Sequence, residues 1–585
     1  MSRRAAPKAN AAVRSTEGSP VIPSEPSRGT TGGTRPELSP ADGSAQLDRF
    51  VHDRLPGPEQ LPELCFDAPE LVFPEQLNLV QELLDKVPIK GFAHLPMLRS
   101  DTLMLSYAEA RVRVDRIAHV LVQDLALVPG NRVLLRGGNS IAMALCMLAV
   151  MKAGLVAVAT MPLLRAKELG DIIDKSEPAA ALCDAALLKE LQLAQAEHPV
   201  LRTIIAFNAA VGEGEPDSLE ARATDKRGAF TACPTAATDI ALLAFTSGTT
   251  GKPKAAVHTH RDVMAACEAW PRHVLCATRD DVVMGSPPLA FTFGLGGLLI
   301  FPMWAGASVY FPDKPYTPDG MARLMFDVGA TICYTAPTFY RQMAPHLKLL
   351  AAERGKPLLR ICVSAGEALP DATRQLWKNA CGIEILDGIG ATEMFHIFIS
   401  SPPQSIRRGA IGKVVPGYVA KVVDDDGREL PVGAVGKIAV KGPTGCQYLG
   451  DARQTNYVRD GWNYPGDAFM QDADGYFFYQ ARTDDMIITS GYNLGAPEVE
   501  DALLKHAAVA ECAVVGVPDE DRGMRVKAFC VLKPQVTADA ALVKALQDHV
   551  KATIAPYKYP REIEFVAGLP RTETGKLQRF RLKTP

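Results

Sequence analysis

The stretch LLAFTSGTTGKPKAAVHTH, residues 242–260, places a loop rich in glycine, serine and threonine between two apolar segments. Backbone N–H groups and hydroxyls in such a loop can surround phosphate oxygens. It is not a Walker A loop, because Thr246 stands where the first glycine belongs and Pro253 follows Lys252 in place of Ser or Thr. The strand-like AAVHT also follows where the Walker helix would begin. From this stretch alone, a phosphate-binding loop and an ordinary surface turn both stay open.

Length and composition limit the class of protein. A chain of 585 residues exceeds one ordinary domain, and 47% hydrophobic with 22% charged residues is typical of a soluble globular protein. A net charge of -3 argues against a general electrostatic contact with nucleic acid. The most apolar stretch, residues 141–151, is too short to span a bilayer. Twelve cysteines without a CxxC pair fit a reducing compartment. We therefore expect a cytoplasmic protein without nucleic-acid or membrane partners.

The composition also changes along the chain. Residues 1–46 are rich in Ser, Pro, Gly, Thr and Ala, which predicts a disordered tail. From about residue 100 to 445, β-branched runs alternate with helix-like segments, a pattern that indicates an α/β architecture with parallel sheets. Residues 440–485 are dense in Gly, Asp and Tyr and predict hairpins, and the remainder predicts a small α+β unit. The predicted domains are therefore 47–483 and 484–585.

The string TSGTTGKPK resembles the phosphate-loop signature of the adenylate-forming superfamily, which includes acyl-CoA synthetases, peptide-synthetase adenylation domains and luciferases. Further segments resemble the other motifs of that superfamily in the expected order: SAGEALP, LDGIGATEM, YPGDAF, ARTDDMIITSGYNLGAPEVE and PRTETGKLQR. The resemblance implies an α/β fold, with a large multi-subdomain N-terminal domain of mixed, mainly parallel sheets that binds ATP and an acid. It also implies a small mobile α+β C-terminal domain that carries the catalytic lysine.

The resemblance implies ATP contacts in several motifs. Gly366 and Glu367 lie along the adenine base, and Asp387 contacts its amino group. Gly388 and Ile389 also belong to the adenine site. Most relatives have an aromatic residue at the position of Ile389. The phosphate loop contributes Thr246, Ser247, Gly248, Thr249, Thr250, Gly251 and Lys254.

The same resemblance implies the catalytic groups. Asp467 meets the ribose hydroxyls and Arg482 lies near ribose and phosphate. Thr392 contacts a phosphate and Glu393 holds Mg²⁺, for which a hard carboxylate oxygen is suited. Lys576 reaches the acid carboxylate and the α-phosphate. When a carboxylate attacks a phosphate, catalysis depends on alignment and charge neutralisation, which these groups would supply.

The C-terminal domain of this superfamily rotates between two half-reactions, first adenylating the acid and then transferring it to a thiol. By resemblance, Asp484 is the hinge and Gly491 lies beside the tunnel for the pantetheine arm of coenzyme A. The implied cofactors are ATP, Mg²⁺ and, as co-substrate, coenzyme A. A homodimer is compatible with the sequence.

Two segments, DGIGATEMFHIFIS and SPPLAFTFGLGG, most resemble those of benzoate- and 2-aminobenzoate-CoA ligases. This resemblance implies an AMP-forming acid–thiol ligase for an aryl carboxylic acid. Aromatic and branched walls favour a flat ring. His396 can bond a ring substituent or the carboxylate, or it can be an ordinary packed histidine. The implied acid pocket consists of Phe291, Thr292, Phe293, Gly390, His396 and Ile397.

Three alternatives stay open from the sequence. The acceptor can be a carrier-protein thiol in place of coenzyme A. The acid can be a medium-chain aliphatic one, if the glycine-rich segment 294–297 opens a tunnel. The chain can also be an inactive relative that only binds nucleotides, although the presence of Lys576, Glu393 and Asp467 opposes this.

Overall fold

The computed structural model describes residues 43–208, 217–246, 253–489, 492–519, 523–571 and 577–583. Most of the predicted phosphate loop, residues 247–252, lies outside the described residues, as do Gly491 and Lys576. So does most of the predicted tail, residues 1–42.

The strands follow one another along nearly the whole described chain. They are β1 (Pro96–Arg99), β2 (Met104–Ser106), β3 (Arg132–Arg136), β4 (Val156–Thr160), β5 (Ala180–Asp184), β6 (Ile204–Phe207), β7 (Ile240–Thr246), β8 (Lys254–Thr259), β9 (Val282–Gly285), β10 (Ser308–Tyr310), β11 (Ile332–Thr335), β12 (Ile361–Ser364), β13 (Ile385–Gly390), β14 (Ile397–Ser400), β15 (Lys413–Val414), β16 (Val419–Val423), β17 (Val435–Lys441), β18 (Val458–Arg459), β19 (Trp462–Asn463), β20 (Asp467–Gln471), β21 (Phe477–Arg482), β22 (Ile487–Thr489), β23 (Tyr492–Leu494), β24 (Val509–Asp519), β25 (Gly523–Leu532) and β26 (Glu562–Phe565).

The α-helices alternate with these strands over much of the chain. They are α1 (Val87–Lys90), α2 (Tyr107–His119), α3 (Ile141–Lys152), α4 (Ala166–Ser176), α5 (Leu188–Glu197), α6 (Leu219–Thr224), α7 (His260–Trp270), α8 (Thr292–Leu295), α9 (Phe301–Ala305), α10 (Pro318–Asp327), α11 (Pro337–Arg354), α12 (Asp371–Cys381), α13 (Gln454–Tyr457), α14 (Ala496–Leu504), α15 (Ala540–Thr553) and α16 (Phe580–Lys583). Among the described residues, no helix is both long and apolar enough to cross a membrane.

The first sheet has the strand order β6-β5-β3-β4-β7-β8 and is parallel except for its last pair. Its central strand β3, RVLLR, is buried along its whole length, as expected for a parallel strand covered on both faces. Strands β7 and β8 are antiparallel and flank the predicted phosphate loop. The loop therefore connects two neighbouring strands at one edge of this sheet.

The second sheet has the order β15-β14-β13-β12-β11-β9-β10-β1-β2. Its central strands are parallel, so β12 and β13 end at the same edge, where Ser364 pairs with Asp387. Ligands of such sheets bind at the carboxyl ends of the strands. The predicted adenine segments therefore lie side by side. Strand β14 turns back antiparallel to β13 and forms a hairpin with it.

The third sheet, β16 to β21, is antiparallel and confirms the predicted hairpins. The chain enters the fourth sheet, β22 to β26, just after β21 ends at Arg482. A turn at Thr483–Asp485 connects the two sheets. The predicted fold class is thus confirmed, with mixed α/β sheets followed by a small α+β unit. The boundary at 483/484 and the mobility of the unit stay predictions.

The described chain begins inside the predicted tail. The side-chain amide of Gln46, which is buried, donates to the carbonyl of Ile240 at 2.7 Å. The backbone N–H of Ala45 donates to the Asp239 carboxylate at 2.9 Å. The polar composition of the tail does not reveal that these residues form hydrogen bonds with the buried start of β7. Ala45 and Gln46 therefore contact the residues at the start of β7, and the tail boundary at residue 46 stays a prediction.

Helix α3 is buried on every face and ends at a buried lysine. The Lys152 ammonium is 1% exposed and donates to Asp115 at 2.5 Å and Asp85 at 2.6 Å. Burial raises the pKa of Asp85 above its ordinary value, although the ammonium opposes this. The cation therefore neutralises two carboxylates that are largely removed from water.

Lys152→Ala is expected to lower the free energy of unfolding by about 3–5 kcal/mol, because it leaves buried carboxylates without their cation. Urea unfolding measures this. The exposed Lys189→Ala is the control and is expected to change stability by less than about 0.5 kcal/mol. A loss below about 1 kcal/mol for Lys152→Ala would contradict the role of this ion cluster.

Candidate active site

A strained turn connects β13 to β14. Thr392–Met394 form a single 3-10 turn, and the buried Phe395 that follows has a φ of 67°. This left-handed conformation is rare for a bulky residue and must be held by its surroundings. The His258 ring donates to the Thr392 carbonyl at 2.8 Å, and the Thr444 hydroxyl donates to the Met394 carbonyl at 2.8 Å. These contacts fix the backbone of Thr392 and Glu393.

The Glu393 carboxylate lies where three sheets meet. The Tyr448 hydroxyl, from the loop after β17, donates to Glu393 Oε1. Lys254, the first residue of β8, donates from Nζ to the Tyr448 hydroxyl at 2.8 Å and lies 3.9 Å from Glu393 Oε1. Burial and the nearby carboxylate raise the pKa of Tyr448, so its hydroxyl keeps its proton. Glu393 and Lys254, both predicted from sequence, are thus brought together by Tyr448, which the sequence did not reveal.

The donor set around Glu393 fits Mg²⁺ bound together with a substrate. The described hydrogen bonds to Glu393 end on Oε1, and Oε2 takes no part in them. Within the described ranges, no group of three His, Cys, Asp or Glu side chains could hold a metal by itself. Mg²⁺ in nucleotide enzymes uses one or two carboxylates and takes its other ligands from phosphates and water. A single carboxylate is therefore sufficient.

The predicted adenine side forms at the ends of β12 and β13. Gly366 has a φ of 88°, which favours glycine, and turns the chain after β12. The Asp387 carboxylate is buried and accepts the backbone N–H of Gly388 at 3.0 Å. Burial raises the pKa of Asp387 to about 7. Ile389 pairs with Ile399 in the β13–β14 hairpin.

The predicted ribose contacts also pair with each other. Asp467 begins β20 and lies opposite Arg482, the last residue of β21. Arg482 Nη1 donates to Asp467 Oδ1 at 3.1 Å and to the Pro465 carbonyl at 2.8 Å. Asp467 is buried, whereas the Arg482 side chain is about half exposed. Together they place an acceptor and a cation at one edge of the third sheet.

A second tyrosine absent from the predicted set is Tyr457. Its hydroxyl is buried without a hydrogen-bond partner among the described residues, and its ring packs edge-on against Tyr448 at 5.9 Å. Burial, assisted by the carboxylates of Glu393 and Asp467, raises the pKa of Tyr457. The phenol is therefore a neutral group near both the predicted metal ligand and the predicted ribose ligand.

An aromatic cluster surrounds His396, the residue just before β14. The rings of Phe301, Phe293 and Trp270 have centroids 4.6, 5.6 and 5.7 Å from the His396 ring. Among the described residues, neither ring nitrogen of His396 makes a hydrogen bond of normal geometry, although the Phe293 backbone lies close enough to oppose the fall in its pKa. Burial lowers the pKa of His396 to about 3, so the ring is neutral near pH 7. The neutral ring has one N–H donor and one acceptor nitrogen, and both nitrogens are buried.

The glycines of segment 294–297 allow this cluster to pack closely. A Cβ added to Gly297 would lie 2.8 Å from the Tyr334 ring, and one added to Gly296 would lie 2.8 Å from His396 Cδ2. Both distances are too short for real contacts. Aromatic rings therefore fill the space beside these glycines.

The structure brings part of the predicted acid pocket together. Gly390 pairs with Ile397 next to His396, and Phe293 packs on the His396 ring. Phe291 and Thr292 instead line a small apolar pocket toward the first sheet, formed with residues of α3, β4 and β7.

The comparisons with known proteins agree with this architecture. The sequence profile of the AMP-binding enzyme family matches residues 89–447, and that of the AMP-binding enzyme C-terminal domain matches residues 498–576. The chain therefore belongs to the AMP-binding enzyme family, which confirms the predicted superfamily.

Individual relatives match nearly the whole folded chain. A benzoate–CoA ligase of Thauera aromatica is 36% identical over 519 residues, which cover 88% of this chain and 97% of the relative. A 4-hydroxybenzoate–CoA/benzoate–CoA ligase of Rhodopseudomonas palustris is 34% identical over 487 residues, which cover 82% of this chain and 88% of the relative. The crystal structure of an anthranilate CoA ligase in complex with anthranoyl-AMP has a TM-score of 0.80 and 33% identity, covering 87% of this chain and 97% of that one.

The raised pKa of Asp387 predicts a pH-dependent stability. Since its pKa rises from 3.8 to about 7 on folding, its ionisation opposes the folded state above pH 3.8, with the full cost above pH 7. Asp387→Asn is therefore expected to gain stability relative to wild type between pH 5 and pH 8, by up to about 3 kcal/mol.

Urea unfolding at both pH values measures this gain. The exposed Asp548→Asn is the control, because ion pairing lowers the pKa of Asp548 and no such gain is expected. Equal effects of Asp387→Asn at pH 5 and pH 8 would contradict the raised pKa.

Proposed function

We propose that the chain is an ATP-dependent aryl acid–CoA ligase, acting on benzoate or 2-aminobenzoate. In the first half-reaction, a carboxylate oxygen attacks the α-phosphorus of ATP and pyrophosphate leaves, giving the aryl adenylate. In the second, the sulfur of coenzyme A attacks the acyl carbon, the thiol proton is lost and AMP leaves. The products are aryl-CoA, AMP and pyrophosphate.

The observation that supports an aryl acid most directly is the aromatic cluster around the unpaired His396. Flat rings are held by area burial and by edge and face contacts with other rings. A neutral histidine beside them supplies one donor, which suits a carboxylate, and one acceptor, which suits a 2-amino group. A buried polar group without a partner is costly, which favours a polar substituent on the ligand.

The filled space beside Gly296 and Gly297 argues against a medium-chain aliphatic acid. A flexible alkyl chain needs a channel, and the predicted channel would run where the rings of Tyr334 and His396 pack. The names of the relatives, benzoate–CoA and anthranilate CoA ligases, support the same choice.

The acid is proposed to bind at the aromatic cluster around His396, and ATP is proposed to bind on the other side of the β13–β14 hairpin, near Asp387 and Glu393. Asp387, next to Gly366, accepts the adenine amino group, and Asp467 accepts the ribose hydroxyls. Arg482 lies beside the ribose and phosphates, whereas Thr392 contacts a phosphate. The side chain of Lys254 adds positive charge next to Glu393. These roles stay proposals that rest on the resemblance and on the placement of the side chains.

Glu393 would hold Mg²⁺, which neutralises phosphate charge when bound. Tyr448 and Lys254 hold the Glu393 carboxylate in place before ATP binds. Such preorganised charge costs no rearrangement during the reaction. Lys576 is proposed as the cation between the acid carboxylate and the α-phosphate. Asp484 and Gly491 are proposed as the hinge and the coenzyme A tunnel.

The remaining predictions concern the setting of the enzyme. A homodimer, a cytoplasmic location and the absence of nucleic-acid and membrane partners stay predictions. The choice of coenzyme A over a carrier-protein thiol rests on the names of the relatives.

Acid-dependent exchange of labelled pyrophosphate into ATP tests the proposed function. Benzoate, 2-aminobenzoate, salicylate and octanoate are compared, and each supporting acid is then offered coenzyme A or a carrier protein. We expect exchange with benzoate or 2-aminobenzoate, and thioester formation with free coenzyme A. Exchange with octanoate alone would contradict the aryl assignment, and ATP binding without any exchange would favour an inactive relative.

Lys576→Ala separates the two half-reactions. Loss of the cation is expected to cost about 3–4 kcal/mol of transition-state stabilisation in adenylation, a rate loss of about two to three orders of magnitude. Thioester formation from supplied benzoyl-AMP is expected to continue. Lys544→Ala, an exposed lysine on α15, is the control for both rates. Equal losses in both half-reactions would contradict the proposed role of Lys576.

A further inference from the structure

Arg571 connects the two predicted domains. Its Nη1 lies 3.2 Å from Glu367 Oε1, on the adenine side of the second sheet. Its Nη2 lies 2.9 Å from Glu511 Oε2, on β24 of the C-terminal sheet. The Arg571 side chain is 27% exposed and Glu367 is 18% exposed. The contact with Glu367 is therefore a partly buried ion pair across the predicted boundary.

Glu367 is itself held in position. The Thr338 hydroxyl, at the start of α11, donates to Glu367 Oε2 at 2.7 Å. Glu367 Oε2 thus accepts from Thr338, within the same predicted domain, and Oε1 accepts from Arg571. A carboxylate with both oxygens engaged is restricted to one rotamer, so it gives Arg571 a fixed anchor.

Arg571 also pairs with the far end of segment 572–576, which contains Lys576. Arg571 and Leu577 form an isolated antiparallel bridge, and the Gln578 N–H donates to the Pro570 carbonyl at 2.9 Å. Residues 572–576 between them lie outside the described residues. The two ends of this segment are therefore joined directly beside Glu367.

The two carboxylate partners of Arg571 differ in one respect. Glu511 belongs to the same predicted domain as Arg571, so that pair can persist in any orientation of the domain. Glu367 belongs to the other domain, so the Arg571–Glu367 pair exists only in the arrangement seen here. A second contact of this arrangement is the Ala372 N–H, which donates to the Asp501 carboxylate at 3.1 Å.

We propose that Arg571 is a positioning residue for the adenylation half-reaction, acting through Glu367. The pair stabilises the arrangement in which the segment that carries Lys576 is anchored beside the nucleotide side. Thioester formation follows a rotation of the C-terminal domain and does not need this pair. The proposal rests on the proposed function, because it assigns one contact to one of its two half-reactions.

A double-mutant cycle tests the pairing. Arg571→Gln and Glu367→Gln are each expected to slow adenylation roughly five- to tenfold, the range for a partly buried charge pair. The double variant is expected to be no slower than the slower single variant, because the lost contact is shared. For Arg571→Gln, thioester formation from supplied benzoyl-AMP is expected to stay within about twofold of wild type. Arg571→Lys is expected to restore part of the adenylation rate.

A matched control is the exposed ion pair between Arg323 and Asp319 within α10, where Arg323→Gln is expected to change neither half-reaction. Additive losses in the Arg571 and Glu367 cycle, or equal slowing of both half-reactions by Arg571→Gln, would overturn the proposal.

Hydrogen exchange without substrates keeps the test independent of the assigned reaction. Arg571→Gln and Glu367→Gln are expected to speed amide exchange at the start of α12, where Ala372 meets Asp501, while α3 exchanges at the wild-type rate. Unchanged exchange at α12 would overturn the proposed contact. A wild-type protein that activates no acid would instead refute the proposed function, and the exchange result would still decide whether the pair holds this arrangement.

Discussion

The hydrogen bond from Tyr448 to Glu393 is the contact on which the site depends. Lys254 comes from the edge of the first sheet, Glu393 from the turn after β13 in the second, and Tyr448 from a loop of the third. The three groups are buried or partly buried, and they are joined by hydrogen bonds from Lys254 to Tyr448 and from Tyr448 to Glu393. The orientation of the proposed metal ligand therefore depends on the packing of three different sheets.

The β13–β14 hairpin contains residues proposed to contact both substrates, ATP and the acid. Asp387 lies on β13, Glu393 follows in the turn, and His396 precedes β14, so ten residues extend from the adenine side to the aromatic cluster. The left-handed Phe395 reverses the chain between Glu393 and His396. Its strain is offset by burial and by the bonds from His258 and Thr444. Rigid placement of this kind suits a reaction that must bring two anions together.

Much of the fold could be predicted from local patterns. The buried run RVLLR and the apolar segment after it became β3 and α3, because continuous burial leaves few other structures open to them. The small α+β unit predicted after residue 485 includes the helix α15 at Ala540–Thr553. His258, in the stretch 242–260, supports the Thr392 carbonyl.

The residues that sequence reasoning missed act through long-range contacts. Tyr448 and Arg571 meet partners far away in the chain, and Tyr457 packs against Tyr448. The local sequences of all three resemble those of ordinary core or surface residues. The sequence left two kinds of acid open, an aryl acid or an aliphatic acid in a tunnel opened by segment 294–297. Only the positions of Tyr334 and His396, set by other strands, distinguish them.

The most direct test follows oxygen from the acid to the nucleotide. Benzoate labelled with ¹⁸O in both carboxylate oxygens is supplied with ATP, Mg²⁺, coenzyme A and the full-length protein, and the AMP is examined by mass spectrometry. If the carboxylate attacks the α-phosphorus and coenzyme A then cleaves the acyl carbon–oxygen bond, each AMP carries one labelled oxygen. Unlabelled AMP formed along with benzoyl-CoA, or label in inorganic phosphate, would contradict activation through an aryl adenylate.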